Sequence, residues 1–184
     1  MTIIPDTKDW TWVLRRPCPE CGFDTQSFPR EAVPEMIMMN AAAWQDLLTG
    51  PGETGTRPAP GTWSALEYGC HVRDVFRLFD ERLDMMLAAD DPLFPNWDQD
   101  ETAVADRYQE QDPAKVAAEL GQSAQVIANR FQGVTGDQWP RTGRRSDGAV
   151  FTVETFARYF IHDPVHHLYD VTGRPAAAQG PAAT

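Results

Sequence analysis

Three of the four histidines of the chain lie in residues 160–170, which read Phe-Ile-His-Asp-Pro-Val-His-His-Leu-Tyr-Asp. His162 and His166 are four residues apart, so in a helix both imidazoles project from one face, one turn apart. A single helix can offer two nitrogen ligands to one metal ion in this way. The fourth histidine, His71, lies on another predicted helix and would supply a third ligand from across a helical bundle. The alternative is a set of hydrogen-bonded histidines near a helix C-terminus, where positive charge is favourable.

Cys18 and Cys21 form a second candidate site, in the segment Cys-Pro-Glu-Cys-Gly-Phe. A single Cys-x-x-Cys is either half of a zinc site or a redox pair. The sequence contains no second such motif, and Cys70, which directly precedes His71, is the only other thiol. An odd number of cysteines argues against a disulfide scaffold. A second metal site, a redox or disulfide pair and plain reduced thiols therefore stay open, with reduced thiols favoured.

Arg141, Arg144 and Arg145 precede an Asp-Gly turn signal, which predicts a short hairpin. Arginines can hold a carboxylate-bearing substrate, so these three are candidate substrate-binding residues. A solvated loop is the more common explanation of such a run.

The elements that must position these groups are four amphipathic helices. Their predicted ranges are residues 30–49, 64–89, 112–134 and 152–173. The second begins with the capping-box pattern Ser64-Ala-Leu-Glu67, and the third with Asp112 followed by proline. Residues 90–111 read as an irregular crossover with a short helix near residues 101–110. We therefore predict an all-α four-helix bundle over residues 30–173, an N-terminal arm over residues 1–29 and a flexible tail over residues 174–184.

The composition of the chain disfavours several classes of function. The chain has 184 residues, of which 42% are hydrophobic, and a net charge of -11. One domain with a substantial core is expected. The acidic balance disfavours binding to nucleic-acid phosphates. No apolar run approaches the roughly 18 residues that span a bilayer, and no signal peptide is recognised, so a cytoplasmic protein without a membrane partner is expected.

Two motifs carry a resemblance to a known family. The segment Trp63-Ser-Ala-Leu-Glu-Tyr-Gly-Cys-His71-Val-Arg-Asp74 resembles the second-helix motif of the DinB/YfiT-like superfamily, in which a histidine follows a tryptophan by eight residues. The segment His162-Asp-Pro-Val-His166-His-Leu resembles its fourth-helix motif. The order and spacing match from about residue 30 to residue 173. The cysteine arm is not part of the family pattern.

The resemblance implies an up-down-down-up bundle, often dimeric, in which three histidines hold a divalent ion. Some members are mycothiol-dependent isomerases or thiol S-transferases. We therefore expect a divalent metal, zinc or nickel, and a small-molecule substrate, with a low-molecular-weight thiol such as mycothiol as a candidate cofactor. A homodimer is expected on the same grounds.

The register of the fourth-helix ligands stays open. The family pattern is His-x-x-His-His-x-x-Gln, whereas here one extra residue separates His162 from the pair His166 and His167. His162 with His166 is regular helix geometry and is favoured. Asp163 with His167 has the same spacing, and His162 with His167 would need a one-residue bulge, which Pro164 makes plausible.

Three carboxylates are candidates to orient the metal-binding histidines by contacting the ring nitrogen that does not bind the ion. Glu67 lies one turn before His71, where it either contacts the imidazole or caps the helix, and capping is favoured. Asp74 lies three residues after His71. Asp170 stands where the family often has Gln or Asp.

Three protein ligands would leave a coordination position open for a water or a thiol, whose pKa the ion would lower. A metal-dependent enzyme, as a thiol transferase or isomerase, is the resulting hypothesis. A zinc protease of the His-Glu-x-x-His type is disfavoured, because Asp163 is shorter than glutamate and Pro164 disturbs the helix. The remaining rival is a non-catalytic, stress-related scaffold with a vestigial metal site. An adjoining cleft would favour the enzyme.

Overall fold

Four long amphipathic helices and one short helix form the body of the molecule. The computed structural model describes residues 9–179. Its α-helices are α1 (Val33–Thr49), α2 (Ala65–Ala88), α3 (Gln99–Ala105), α4 (Pro113–Gln132) and α5 (Val153–Thr172), and a hairpin is formed by β1 (Thr142–Arg144) and β2 (Val150–Thr152). The four long helices α1, α2, α4 and α5 form the predicted up-down-down-up bundle, in which α4 packs on α1 and α2, and α5 closes the other side.

The helix ends form where the local sequence signals predict them. Ser64 and Glu67 make a reciprocal capping box at the start of α2, and Thr152 caps α5 by accepting a hydrogen bond from the third residue of the helix. Asp112 accepts from the backbone of Lys115 at 2.8 Å, with a proline in the first turn of α4. These caps satisfy amide groups that have no partner inside the helix.

Aromatic side chains fill the centre of the bundle. Phe160 of α5 packs on Phe79 of α2 and on Phe131 of α4, with ring centroids 4.9 and 5.9 Å apart. Trp44 of α1 is fully buried. Burial of a large aromatic or aliphatic side chain contributes about 1.5–3 kcal/mol, so this core carries much of the stability. None of the helices described between residues 9 and 179 is both long and apolar enough to cross a membrane.

The hairpin fastens the crossover after α2 to the start of α5. Gly143 of β1 pairs with Phe151 of β2, and β2 runs directly into α5. The amide of Phe94 donates to the carbonyl of Arg144 at 2.7 Å, so residues near 94 are held beside β1.

The N-terminal arm packs on α5. The described part of the arm begins with a 3-10 helix, Trp10–Leu14, and Val13 and Phe23 are buried. The far end of the chain meets the arm, because the amide of Ala176 donates to the carbonyl of Cys21 at 2.8 Å. Gln179 is buried and donates to the carbonyl of Val165 at 3.1 Å. Ala176 and Gln179 are therefore buried against the body, whereas Arg174, Pro175 and Ala177 are exposed. The flexible tail over residues 174–184 stays a prediction, and its part after residue 179 lies outside the described residues.

Candidate metal centre

Helix α5 presents two pairs of potential ligands on two adjacent stripes of its surface. His162 and His166 form one i, i+4 pair, and Asp163 and His167 form the other. Successive helix residues are rotated by about 100°, so the two pairs face different neighbours. The stripe with His162 and His166 faces the N-terminal arm, and the stripe with Asp163 and His167 faces α2.

The first group, which we call the bundle cluster, consists of His71 from α2 with Asp163 and His167 from α5. One ligand atom from each residue lies within 4.8 Å of those of the other two. The Oδ1 atom of Asp163 is 3.5 Å from Nε2 of His71 and 3.7 Å from Nε2 of His167. The two imidazoles meet edge to face with centroids 4.9 Å apart. This convergence of two nitrogens and one carboxylate oxygen is a donor set that divalent transition metals accept.

Buried polar atoms without partners mark the bundle cluster as incomplete. His71 is fully buried between the rings of Trp63 and Trp97, and neither of its ring nitrogens has a hydrogen-bond partner among the described residues. The same holds for Oδ1 of Asp163, since its approach to His71 lacks hydrogen-bond geometry. Leaving such groups unpaired costs about 1–3 kcal/mol each. A bound cation would satisfy one ring nitrogen of His71 together with Oδ1 of Asp163, so these residues fit the metal that the bundle geometry suggests.

The charge states also suit metal ligation. Burial lowers the pKa of His71, despite the opposing effect of Asp163, and so favours the neutral imidazole. Burial alone would raise the pKa of Asp163, but the nearby His167 and His71 outweigh it and lower the pKa to about 2. Neutral imidazole and ionised carboxylate are the forms that bind metals.

Of the three predicted supporting carboxylates, Asp170 contacts the cluster. Its Oδ2 atom is 3.0 Å from Nδ1 of His167, which leaves Nε2 of that ring directed at Asp163. Glu67 is instead occupied by the capping box and by Arg57, whose Nε donates to it at 2.8 Å. Asp74 accepts from the hydroxyl of Tyr108 at 2.6 Å and binds neighbouring arginines. Neither therefore orients His71.

The second group, which we call the arm cluster, consists of Cys18 and Cys21 with His162 and His166. All four side chains are buried, and one ligand atom of each lies within 4.8 Å of the other three. Burial, reinforced by the adjacent His166, lowers the pKa of His162 to about 3. Burial raises the pKa of the Cys21 thiol to about 12. All three cysteines of the chain are free thiols in the structure.

The favoured pairing of His162 and His166 with His71 therefore does not match the geometry. His71 clusters with Asp163 and His167, which is the second of the three registers considered. The physical reason is helix phase: the stripe that contains His162 and His166 is turned toward the arm, and the arm's position could not be inferred from helical spacing.

A cleft of about 800 Å³ opens beside the bundle cluster. Residues from the crossover, the hairpin and both ligand-bearing helices line it, among them Trp63, Trp97, Arg82, Arg145, Asp163 and His167. Its volume lies within the range of about 300–1,000 Å³ that is typical of small-molecule sites.

Only one of the three candidate substrate-binding arginines reaches the cleft. Arg145 lines it and donates to the hydroxyl of Tyr159 at 2.9 Å. Arg141 donates to the carbonyls of Met86 and Ala89, both at 2.7 Å, and so caps the end of α2. Arg144 forms an exposed ion pair with Asp91 at 3.0 Å. Arg141 and Arg144 are thus structural in this arrangement.

Arg82 is a cleft residue that the sequence analysis missed. It is buried on α2, where it packs between the rings of Phe79 and Phe94, and its Nε has no hydrogen-bond partner among the described residues. Burial, together with the charge of Arg145, lowers its pKa to about 10, so it is still protonated at neutral pH. An arginine at core spacing from Phe79 and Met86 was the sequence signal that could have revealed it.

Comparison with known proteins agrees with the fold. A sequence model of the DinB superfamily matches residues 35–171. No curated protein sequence matches the chain significantly. The solved structure of YfiT from Bacillus subtilis, described as a probable metal-dependent hydrolase with an unusual four-helix bundle topology, superimposes with a TM-score of 0.72 at 15% identity, covering 86% of this chain and 91% of that one. With the family match extending over most of its length, the chain belongs to the DinB superfamily.

Proposed function

We propose that the protein is a divalent-metal-dependent enzyme that acts on a small anionic molecule in the cleft. His71, Asp163 and His167 are the proposed ligands. The observation that carries the proposal is the convergence beside a cleft of one ligand atom each from His71, Asp163 and His167, with the atoms of His71 and Asp163 buried and without hydrogen-bond partners among the described residues. The YfiT structure, which is described as a probable metal-dependent hydrolase, supports the same class of activity.

The donor set constrains the ion. Two imidazole nitrogens and one carboxylate oxygen suit zinc, nickel and ferrous iron better than magnesium or calcium, which prefer oxygen ligands. Zinc and nickel are the proposed native ions. With three protein ligands, such an ion keeps a position at which a water or a thiol is acidified.

The surrounding residues would position the substrate. Arg82 is a buried cation with an unpartnered Nε at the cleft wall, so an anionic group of the substrate would pair with it. Trp63 and Trp97 enclose the imidazole of His71 and keep water from it. Asp170 holds the tautomer of His167.

The finer proposal is transfer of a low-molecular-weight thiol, such as mycothiol, to an electrophile, or thiol-dependent isomerisation. The size of the cleft supports it, since about 800 Å³ leaves room for a polar thiol and a second reactant together. Hydrolysis is the competing reaction for the same metal site. The two differ in whether turnover requires an added thiol.

The first test measures metal binding and turnover together. The purified protein is loaded with zinc or nickel and assayed with anionic electrophiles, with and without a low-molecular-weight thiol, and with anionic esters. We expect metal-dependent turnover that falls at least about 100-fold in His71→Ala and in His167→Ala, since removing a ligand removes the metal. Cys70→Ser, a buried substitution next to His71 but outside both clusters, is the control that keeps activity.

Each part of the proposed function is refuted by a different outcome. Turnover only with thiol favours transfer, and turnover of esters without thiol favours hydrolysis. Metal binding without turnover of any reactant refutes the enzyme and favours the scaffold. Unchanged metal content in the two histidine variants refutes the ligand assignment. The homodimer stays a prediction, which sedimentation equilibrium would check.

A further inference from the structure

The arm cluster has no role in the proposed reaction, although it gathers two of the three cysteines and two of the four histidines of the chain. The four residues come from segments more than 140 positions apart in sequence, since the contact between Cys18 and His166 spans 148 residues. All four are buried. Such a concentration of soft and borderline ligands calls for a chemical explanation.

The spacing between the ligand atoms matches a tetrahedral zinc site. The sulfur of Cys18 is 3.6 Å from Nδ1 of His166, and the sulfur of Cys21 is 3.8 Å from Nε2 of His162. Zinc–sulfur bonds of about 2.3 Å and zinc–nitrogen bonds of about 2.0 Å, at the tetrahedral angle, separate a sulfur from a nitrogen by about 3.6 Å. The side chains therefore stand close to the positions that they would occupy around an ion.

The ring nitrogen of His166 that faces away from Cys18 lies near carboxylates, as in known zinc sites. While Nδ1 faces Cys18, Nε2 lies 3.3 Å from Glu20 and 3.6 Å from Asp170. Metal-binding histidines almost always direct their second ring nitrogen at a carboxylate, a carbonyl or water. Glu20 lies between the two cysteines, so the same short loop supplies two ligands and the carboxylate that orients a third.

The backbone of the loop turns so that both thiols face inward. The amide of Gly22 donates to the carbonyl of Cys18, and the amide of Cys18 donates to the carbonyl of Phe23, both at 2.9 Å. Gly22 adopts a φ of 75°, a conformation that glycine takes without steric cost. This turn brings the two sulfurs to one side of the loop, against α5.

We propose that Cys18, Cys21, His162 and His166 bind a structural zinc ion in a closed Cys₂His₂ site that fastens the N-terminal arm to α5. Four protein ligands leave no open position, which is typical of structural rather than catalytic zinc. The site holds Trp10 and Glu20 at the wall of the cleft, and it anchors the C-terminal segment through the bond from Ala176 to Cys21. The protein thus binds two ions of different roles on adjacent stripes of one helix.

The test on wild-type protein is cobalt substitution. Cobalt bound to the arm cluster produces thiolate-to-cobalt charge-transfer absorption, whereas cobalt in the bundle cluster, which has no sulfur, does not. Titration of the zinc protein with a mercurial reagent, with a colorimetric zinc chelator present, should release one of the two ions per chain as the thiols are blocked. Both measurements use the wild-type chain, so a folding defect of a variant does not affect them.

Variants assign the signal to residues. We expect Cys18→Ser and Cys21→Ser each to lose the charge-transfer absorption and one of the two ions. Cys70→Ser, the matched control, should keep both. His71→Ala should lose the other ion and keep the absorption, so failure of the proposed enzyme site would leave this result intact.

Three results would overturn the proposal. They are cobalt-loaded wild type without thiolate absorption, equal metal content in Cys18→Ser and Cys70→Ser, or a Cys18–Cys21 disulfide in freshly purified protein identified by mass spectrometry. The last result would assign the thiols to redox chemistry instead.

Discussion

At the scale of single residues, the arrangement depends on neighbouring positions of α5 serving different partners. Asp163 and His167 face His71 of α2, while the residues just before each of them, His162 and His166, face the cysteines of the arm. A rotation of about 100° between successive residues separates the two sets without any irregularity of the helix. Pro164 has no amide hydrogen and so removes one backbone hydrogen bond from the helix. No bulge is needed to explain the ligand geometry.

Asp170→Asn tests whether Asp170 orients His167 in the bundle cluster. The carboxylate lies 3.0 Å from Nδ1 of His167, and an amide would lose its charge and weaken the orientation of that ring. Since such substitutions lower metal affinity about 10–100-fold, we expect a loss of this size for the ion of the bundle cluster, measured by competition with a chelator. Because Asp170 is also 3.6 Å from His166, cobalt absorption should be recorded in parallel to follow the arm cluster.

The control for this measurement is Asp84→Asn. Asp84 is an exposed carboxylate that binds Arg130 and belongs to neither cluster. Equal affinities in Asp170→Asn and Asp84→Asn would show that Asp170 does not support the metal ligands.

At the scale of elements, the hairpin and the crossover shape the cleft that the four-helix bundle alone would not enclose. β1 holds the crossover through the bond between Phe94 and Arg144, and Arg145, immediately after β1, reaches the cleft. Gly143 lies where the hairpin packs closely against the side chains of Phe94 and Met86. A Cβ atom there would lie 2.6 Å from the ring of Phe94 and 2.8 Å from the side chain of Met86.

Gly143→Ala should therefore destabilise the protein. Both contacts are with buried side chains that have little room to move, and overpacking of this kind costs about 1–3 kcal/mol. Gly136→Ala is the matched control, because a Cβ there meets nothing within 4 Å and its φ is not positive, so a change within about 0.5 kcal/mol is expected. Urea unfolding of both variants gives the comparison, and equal midpoints would contradict the packing argument.

At the scale of the whole molecule, buried neutral histidines make folding sensitive to acid. Burial lowers the pKa values of His71, His162 and His166, and that of His162 falls from 6.5 to about 3. Between these two values the unfolded chain binds a proton at this position and the folded chain does not. The free energy of unfolding must therefore decrease as the pH falls through this interval.

For metal-free protein, we expect His162 to make the free energy of unfolding drop by up to about 1.4 kcal/mol per pH unit as the pH falls below about 6.5, and His71 and His166 to add to the drop. Urea unfolding at several pH values between about 7 and 5 measures the slope. His162→Gln should reduce the slope by the share of one histidine, because that group no longer titrates. A constant free energy of unfolding across this range would contradict the burial of neutral imidazoles.

Local signals in the sequence were sufficient to predict the helices and their assembly. The capping box at Ser64 and Glu67, the Asp112 cap and the glycine that ends α5 act over a few residues, and apolar periodicity specifies which face of each helix is buried. The family motif around His71 and the fourth-helix histidines pointed to the correct superfamily. It also confined the candidate ligands to two helices.

The division of those ligands into two groups depended on long-range packing. Both i, i+4 pairs of α5 have the same spacing, so periodicity alone cannot distinguish the stripe that faces α2 from the stripe that faces the arm. Cys18 and Cys21 lack helical periodicity around them, and nothing local indicates that they meet residues more than 140 positions away. The rotation of α5 in the bundle is set by burial of its entire apolar face, a sum over contacts with α1, α2 and α4. Only the assembled core determines which atoms of this helix meet which partners.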